Sequence, residues 1–415
     1  MTRHVLLVSW GSSGNLNPIL TAARQLKQHG HRARVMADPA MRNDVEAAGF
    51  EYMSWTRAPI GSAADPSDFA DLQGWFRQAV FDPAEAYASD LLGEIRRTQT
   101  DAVICIDLLF GCSVGAEAAG VPLALLSPHV SIRPLPGIPP ASTGLPAAKT
   151  SEERKNIAAI TADLSQLFED FLPSFNATRA RFGLPGLQSP WNIFDRADRC
   201  LLAISRSFDF EADALPGNVR YIGPLLDEPG WSKPWRAPWP ERSLRPRVLV
   251  ACSTGSQGQR DLVQRAINAM GMLRVDAVAT TGPNLDPSEL NAPDNVSLLE
   301  SAPHDAVMKE VNVVVTQGGH GTVCRSLING LPQLILPAGR DQPDNAARVE
   351  AKGAGLRLPP TASEAEMATA VGRLLTEPRF RLAARNLGAV IRADIAACSL
   401  VGEMESIVAA RRAAA

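Results

Sequence analysis

The stretch HVLLVSWGSSGNLNPIL, residues 4–20, narrows the fold more than any other part of the chain. An unbroken apolar run is what a parallel strand needs when both of its faces are covered. A glycine-rich loop then leads into Ile19, Ala22, Ala23 and Leu26, which repeat at helical spacing. Asn17 and Pro18 suit the start of that helix, and Gly30 suits its end. The alternation continues with RARVMAD as a second strand and DAVICIDLL as a third. A small-residue helix, GCSVGAEAAG, and the strand PLALLSP follow. Strand and helix in strict alternation imply a parallel sheet with right-handed crossovers.

The same kind of unit starts again at RVLVACST. It runs through QRDLVQRAINAM, DAVATTG, VNVVVTQ, GTVCRSLING, PQLILP and NAARVEAKG. Between the two units lies DEPGWSKPWRAPWPERSLRP, rich in proline and tryptophan and without periodicity. A chain of 415 residues exceeds what one core usually holds. The expected division is therefore 1–225, a linker at 226–246, a second α/β domain at 247–378, and terminal helices from 379 to 415. Two segments interrupt the first unit. Residues 60–98 carry Phe69, Trp75, Phe76, Phe81 and Tyr87, and residues 132–182 join a proline-rich loop to an amphipathic helix. Insertions in such sheets gather at the carboxyl ends of strands, where ligands bind. They are expected to wall an apolar pocket, with Trp75, Phe76 and His129 facing the ligand.

A net charge of −3 gives no reason to expect nucleic acid or an anionic membrane as a partner. The six cysteines are dispersed, so reduced thiols are expected and no metal site. The run VLLV is too short for the core of a signal peptide, and no window resembles a membrane span, so a cytoplasmic protein is expected.

Chemistry is concentrated in VVVTQGGHGTVCRSLINGLPQLILPAGRDQPDNAARV. A strand ends at Thr316, glycines at 318, 319 and 321 let the backbone approach a ligand, and Thr322 opens a helix. The unpaired amides at such a helix start suit a diphosphate. One strand later, Asp341 and Gln342 offer paired acceptors and donors with the reach to hold sugar hydroxyls. A phosphate cradle beside a hydroxyl clamp describes a nucleotide-sugar, with no cofactor beyond that co-substrate.

At these residues the sequence resembles the large inverting group of GT-B-fold glycosyltransferases that includes macrolide, glycopeptide and plant secondary-metabolite enzymes. The resemblance covers nearly the whole chain and is strongest over 311–349. It implies an α/β GT-B fold: two Rossmann-like, doubly wound domains facing across a cleft, with the final helix crossing back onto the first. It implies a UDP- or dTDP-sugar in the second domain and a small hydrophobic acceptor in the first. Gly319, Gly321 and Thr322 fall on the diphosphate loop, and Ser253 and Thr254 on a second diphosphate-facing turn. Asp341 and Gln342 fall on the sugar pair, and SAPH, with Ala302 and His304, on the nucleoside site.

Three positions depart from the family. Gln317 stands where many members have a histidine against the diphosphate, which shifts that duty to backbone amides or to His320. Arg325 stands where many have a ribose-binding glutamate, which favours a deoxyribose donor such as a dTDP-sugar. Most consequentially, Asn15 stands where the family places its catalytic histidine, while Asp107 keeps the place of that histidine's partner. Asn15 cannot remove a proton at neutral pH. Three explanations compete: an acceptor that is intrinsically nucleophilic (an amine, thiol, carboxylate or acidic phenol), direct action of Asp107, or a non-catalytic auxiliary relative. His129 is a further possible base. A nicotinamide enzyme has only Asp38, at the end of the second strand, in its favour.

Overall fold

In the computed structural model, the described residues are 1–60, 69–226, 235–239, 243–251, 260–282 and 285–414. The first sheet contains β1 (His4–Val8), β2 (Arg32–Ala37), β3 (Glu51–Ser54), β4 (Ala102–Ile106), β5 (Leu123–Ser127), β6 (Arg199–Leu202) and β7 (Val219–Tyr221). All pairings are parallel, in the order β3-β2-β1-β4-β5-β6-β7. Its helices are α1 (Ser13–Gln28), α2 (Arg42–Ala47), α3 (Phe69–Phe76), α4 (Ala84–Arg97), α5 (Phe110–Ala119), α6 (Ser151–Glu169), α7 (Leu172–Arg181) and α8 (Asn192–Arg196). Strands β1, β4 and β5 are buried almost throughout, which is why their sequences are continuous apolar runs rather than alternating ones.

The second sheet contains β8 (Arg247–Ala251), β9 (Asp276–Thr280), β10 (Val296–Leu299), β11 (Val313–Thr316), β12 (Gln333–Ile335) and β13 (Gly355–Arg357). They are also parallel, in the order β10-β9-β8-β11-β12-β13. The accompanying helices are α9 (Arg260–Gly271), α10 (His304–Val307), α11 (His320–Ile328), α12 (Gln342–Ala351) and α13 (Glu364–Thr376). In both sheets the strand order reverses beside the first strand, which opens a crevice at the carboxyl ends. Within the linker, Trp235 and Trp239 donate their indole N–H groups to the two oxygens of Glu310, at 2.7 and 2.9 Å. Trp235 and Trp239 are thus anchors to the second domain.

Helices α14 (Pro378–Ala396) and α15 (Leu400–Ala414) end the chain. The terminal helix crosses back to the first domain. Glu403 on α15 binds Arg199 at 2.5 Å and Arg220 at 3.3 Å, on the two outer strands of the first sheet. Arg412 pairs with Asp101 at 2.9 Å, beside β4. No helix among the described residues is long and apolar enough to cross a membrane.

One local expectation needs correction. Helix α1 starts at Ser13, after Ser12 at its N-cap, so Asn17 does not cap it and Pro18 lies inside it. Asn15 therefore sits in the first helical turn rather than in the loop, with its amide donating to Ser12 Oγ at 3.1 Å. Phe76 is 8% exposed and packs on Phe168 with ring centroids 4.5 Å apart. The two insertions meet each other through an aromatic cluster of Phe76, Phe81, Phe168 and Phe171, which takes these rings out of water together.

Helix α14 presses against α11 at Gly388, where a Cβ would lie 1.8 Å from the carbonyl oxygen of Leu327. Backbone meets backbone there, so neither side can yield by a rotamer change. Gly388→Ala is expected to lower stability by about 3 kcal/mol, read as a fall in the denaturant midpoint with an unchanged slope.

Candidate active site

The second domain builds one half of the site. After β11 the chain turns at Gly318, whose φ of +97° suits only glycine and where a Cβ would meet Ile335 Cγ2 at 2.6 Å. Gly319 caps α11, and the first amides of that helix, at His320, Gly321 and Thr322, have no partner inside it. Together they make a partial positive charge. Asp341 is the N-cap of α12 and remains partly exposed. The two features are tied by the buried Asn345, whose amide donates to Gly318 O and to Asp341 Oδ2, both at 2.8 Å. Sequence reading passed over Asn345. Its place at the end of the DQPDN run, four residues after Asp341 and so on the same helix face, was the available signal.

The other donor-side residues divide by burial. Gln342 is 4% exposed and its Oε1 accepts from Ala338 N at 2.8 Å, so its carbonyl is committed to the backbone. Gln317 is buried as well. His320 is not a solvent-facing loop residue. It is buried, its Nε2 lies 3.4 Å from Cys324 Sγ, and its ring meets the edge of Phe208. Burial lowers its pKa to about 4, so it brings no positive charge to the helix start at neutral pH. A cation does lie close by. Arg325 pairs with Asp305 at 3.2 Å and reaches within 3.5 Å of Gly321 O. His304 Nε2 is 3.3 Å from Thr280 Oγ1, and burial, then Arg325, lower its pKa to about 4. Ala302 is buried in the apolar cluster under α10. Ser253 and Thr254 lie outside the described residues.

The first domain builds the other half. Strands β1, β4 and β5 are neighbours, so their carboxyl ends bring the start of α1, Asp107 and His129 to one edge. Asp107 has no exposed surface. Its Oδ2 accepts from Ser127 Oγ at 2.5 Å, and its Oδ1 lies 3.4 Å from His129 Nε2. A proton leaving a ligand reaches Asp107 only through a neighbour. His129 is that neighbour, with 17% of its side chain exposed. Its Nδ1 is 2.9 Å from the carbonyl oxygen of Val130. Burial alone would depress this imidazole, but the Asp107 carboxylate reverses the effect and raises its pKa to about 9. Trp75 is partly exposed and stands edge-on to Trp10, 6.0 Å away, at the end of β1. Trp10, which sequence reading treated only as strand, thus joins the aromatic insertion to the first loop.

The two halves face one another. Asp341 and His320 in the second domain both exchange charge effects with His129 in the first. Helix α12 fixes this approach. Asp344 accepts from the backbone N–H groups of Ser142 and Gly144 at 2.6 and 2.9 Å, in the proline-rich insertion. Arg348 grips Asp209 at 2.6 Å, and both side chains are buried.

Comparison with known proteins agrees with this architecture. Residues 264–407 match the family model described as Erythromycin biosynthesis protein CIII-like, C-terminal domain. The chain is 28% identical to 4'-demethylrebeccamycin synthase of Lentzea aerocolonigenes, over 98% of this chain and 100% of that protein. It superposes on the glycosyltransferase of kitacinnamycin with a TM-score of 0.75 at 24% identity, covering 99% of this chain and 98% of that one. It superposes on glycosyltransferase VinC in complex with dTDP with a TM-score of 0.68 at 19% identity, covering 98% and 100%. The fold is GT-B.

A pH titration of His129 checks the acceptor-side electrostatics. Its folded pKa stands above the ordinary 6.5, so pairing with Asp107 contributes stability that is complete below 6.5 and is lost as pH rises through about 9. The imidazole resonances of His129 are expected to titrate near 9. In Asp107→Asn they are expected to move below 6.5, where burial alone would place them.

Proposed function

This chain is a glycosyltransferase of the GT-B fold, and we propose that it moves a sugar from a UDP- or dTDP-sugar to a small hydrophobic acceptor of the natural-product kind, with inversion at the anomeric carbon. The observation that carries the donor assignment is the Asn345 tie. One buried amide holds the glycine turn at the start of α11 and the Asp341 carboxylate at a fixed separation. A diphosphate at the helix start therefore places its sugar beside Asp341. The structures it resembles are consistent with this: one is the glycosyltransferase of kitacinnamycin, and one is a glycosyltransferase holding dTDP.

The reaction is a single in-line displacement. The acceptor, held by the first domain near Asn15, His129 and Trp75, attacks the anomeric carbon from the face opposite the diphosphate. The bond from that carbon to the diphosphate oxygen breaks, and its electron pair leaves on the diphosphate. Main-chain amides of Gly321 and Thr322, with the dipole of α11, stabilise that charge. His320 is neutral and contributes position rather than charge. Arg325, a side-chain cation beside Gly321, takes over part of the duty absent at Gln317. With Arg325 committed to Asp305 where a ribose-binding glutamate is usual, the pocket favours a deoxyribose donor. The rest of the rate gain is proximity, from two domains holding two substrates.

A matrix of UDP- and dTDP-sugars against phenolic, carboxylic, amine and alcohol acceptors, read by mass spectrometry, tests the assignment. Transfer with inverted anomeric configuration is expected, and hydrolysis or no reaction across the matrix would refute it. Asn345→Ala is expected to weaken nucleotide-sugar binding by about tenfold, through one unsatisfied buried carbonyl and a released Asp341. Asn15→His is expected to raise rates for plain alcohols more than for acidic phenols, because general-base help matters least where the nucleophile is already ionised.

A further inference from the structure

His129 resolves what Asn15 leaves open. Both nitrogens of its ring face oxygens that accept: Nδ1 faces the Val130 carbonyl at 2.9 Å, and Nε2 faces the Asp107 carboxylate at 3.4 Å. A carbonyl oxygen cannot donate, so Nδ1 carries a hydrogen. Nε2 stands at ion-pair distance from Asp107 Oδ1, a buried oxygen with no hydrogen-bond donor among the described residues, so Nε2 carries one too. Ser127 donates to the second carboxylate oxygen at 2.5 Å. The ring is therefore an imidazolium, and neither nitrogen has a lone pair with which to take a proton. His129 does not replace the missing base.

What it supplies is a fixed cation. Asp107 lies behind it with no exposed surface, while 17% of the His129 side chain stays open, so the pair shows its positive end outward. The charged and titratable groups that act on the ring come from three elements: Asp107 after β4, His320 at the start of α11 and Asp341 at the start of α12. Along the same carboxyl edge of the sheet, Asn15, which does not titrate, lies in the first turn of α1, and Trp10 after β1 meets Trp75 edge-on. An aromatic pair, an amide and a partly exposed cation along one edge of the sheet are suited to an anion with a flat apolar body.

We propose that the acceptor binds as an anion, through an acidic O–H or N–H that has ionised before binding, with the His129–Asp107 pair presenting the cation that selects it. This rests on the glycosyltransferase reading above and narrows its acceptor to carboxylates, acidic phenols and imides. The chemical step then needs no base. A lone pair of the acceptor anion forms the bond to the anomeric carbon, and the bond from that carbon to the diphosphate oxygen breaks with its pair leaving on the diphosphate. No proton moves, and His129 stays doubly protonated throughout. A neutral amine is disfavoured, since it would become cationic beside a cation. A plain alcohol is disfavoured because nothing takes its proton.

The test uses the full-length protein saturated with dTDP and three planar probes: 7-hydroxycoumarin, its more acidic 6-chloro analogue, and neutral 7-(hydroxymethyl)coumarin. Calorimetric Kd values are measured from pH 6 to pH 8. Affinity for the two phenols is expected to rise with their ionised fraction while the alcohol stays flat. His129→Gln is expected to weaken the phenolates about tenfold and the alcohol little, and His129→Lys, which keeps the charge, is expected to restore the preference. Binding that ignores ionisation, equal losses for phenolate and alcohol in His129→Gln, or no phenolate binding by the unaltered protein would overturn the proposal. Binding of dTDP in the same cell separates the two readings. If dTDP binds and the anion preference is absent, only the acceptor inference fails; if neither dTDP nor UDP binds, the donor assignment fails with it.

Discussion

One face of helix α12 holds the molecule in working order. Asp341, Asp344, Asn345 and Arg348 follow at intervals of three, one and three residues, so they share a side of the helix. Asp341 opens toward the cleft, and Asn345 ties it to the glycine turn before α11. Asp344 and Arg348 reach the other domain, at Ser142, Gly144 and Asp209. Arg348 and Asp209 are both buried, and an ion pair removed from water persists only where geometry and hydrogen bonds offset desolvation. Here Arg348 also lies over the ring of Phe210, and Asp209 also accepts from Tyr221. Such a pair fixes register more than it adds stability. The consequence is functional: the element that begins with the sugar-facing carboxylate is also the one that sets where the acceptor domain stands.

The absence of a titrating side chain at position 15 acquires its meaning against that frame. The structure keeps Asp107, buries it completely, and spends its charge on His129 rather than on a base. On the donor side, burial holds His304 and His320 neutral, while on the acceptor side a carboxylate holds His129 charged. Three histidines of one cleft are thus set to different states by their surroundings. Positive charge is concentrated at the helix start, Arg325 and His129, which is where negative charge arrives or develops.

Much of the fold was legible in the sequence, because its strands are buried on both faces and read as continuous apolar runs. Strands β3, β7, β10 and β13 were not legible, since they are partly exposed and lack the continuous apolar run by which the equally short but buried β11 and β12 are read. The start of α1 was misplaced because Asn17-Pro18 is as good a helix opening as Ser12 followed by Ser13-Gly14, and only tertiary packing decides between them. Within the site, the glycine turn, Thr322 and Asp341 were legible from local spacing. The His129–Asp107 pair was not, because it depends on β4 and β5 being neighbours rather than on sequence distance. Nor was the state of His320 legible, since its burial depends on Phe208 from the other domain. The packing of Phe76 on Phe168 was not legible either: an aromatic run signals burial, and the sequence does not say against what.

The most direct measurement is a crystal structure of the protein with a non-hydrolysable dTDP-sugar bound. The account predicts density for the diphosphate against the amides of Gly321 and Thr322, and the sugar ring beside Asp341 with its anomeric carbon facing His129. Density for the nucleotide against the β1 loop of the first domain, or a sugar ring turned away from Asp341, would contradict it.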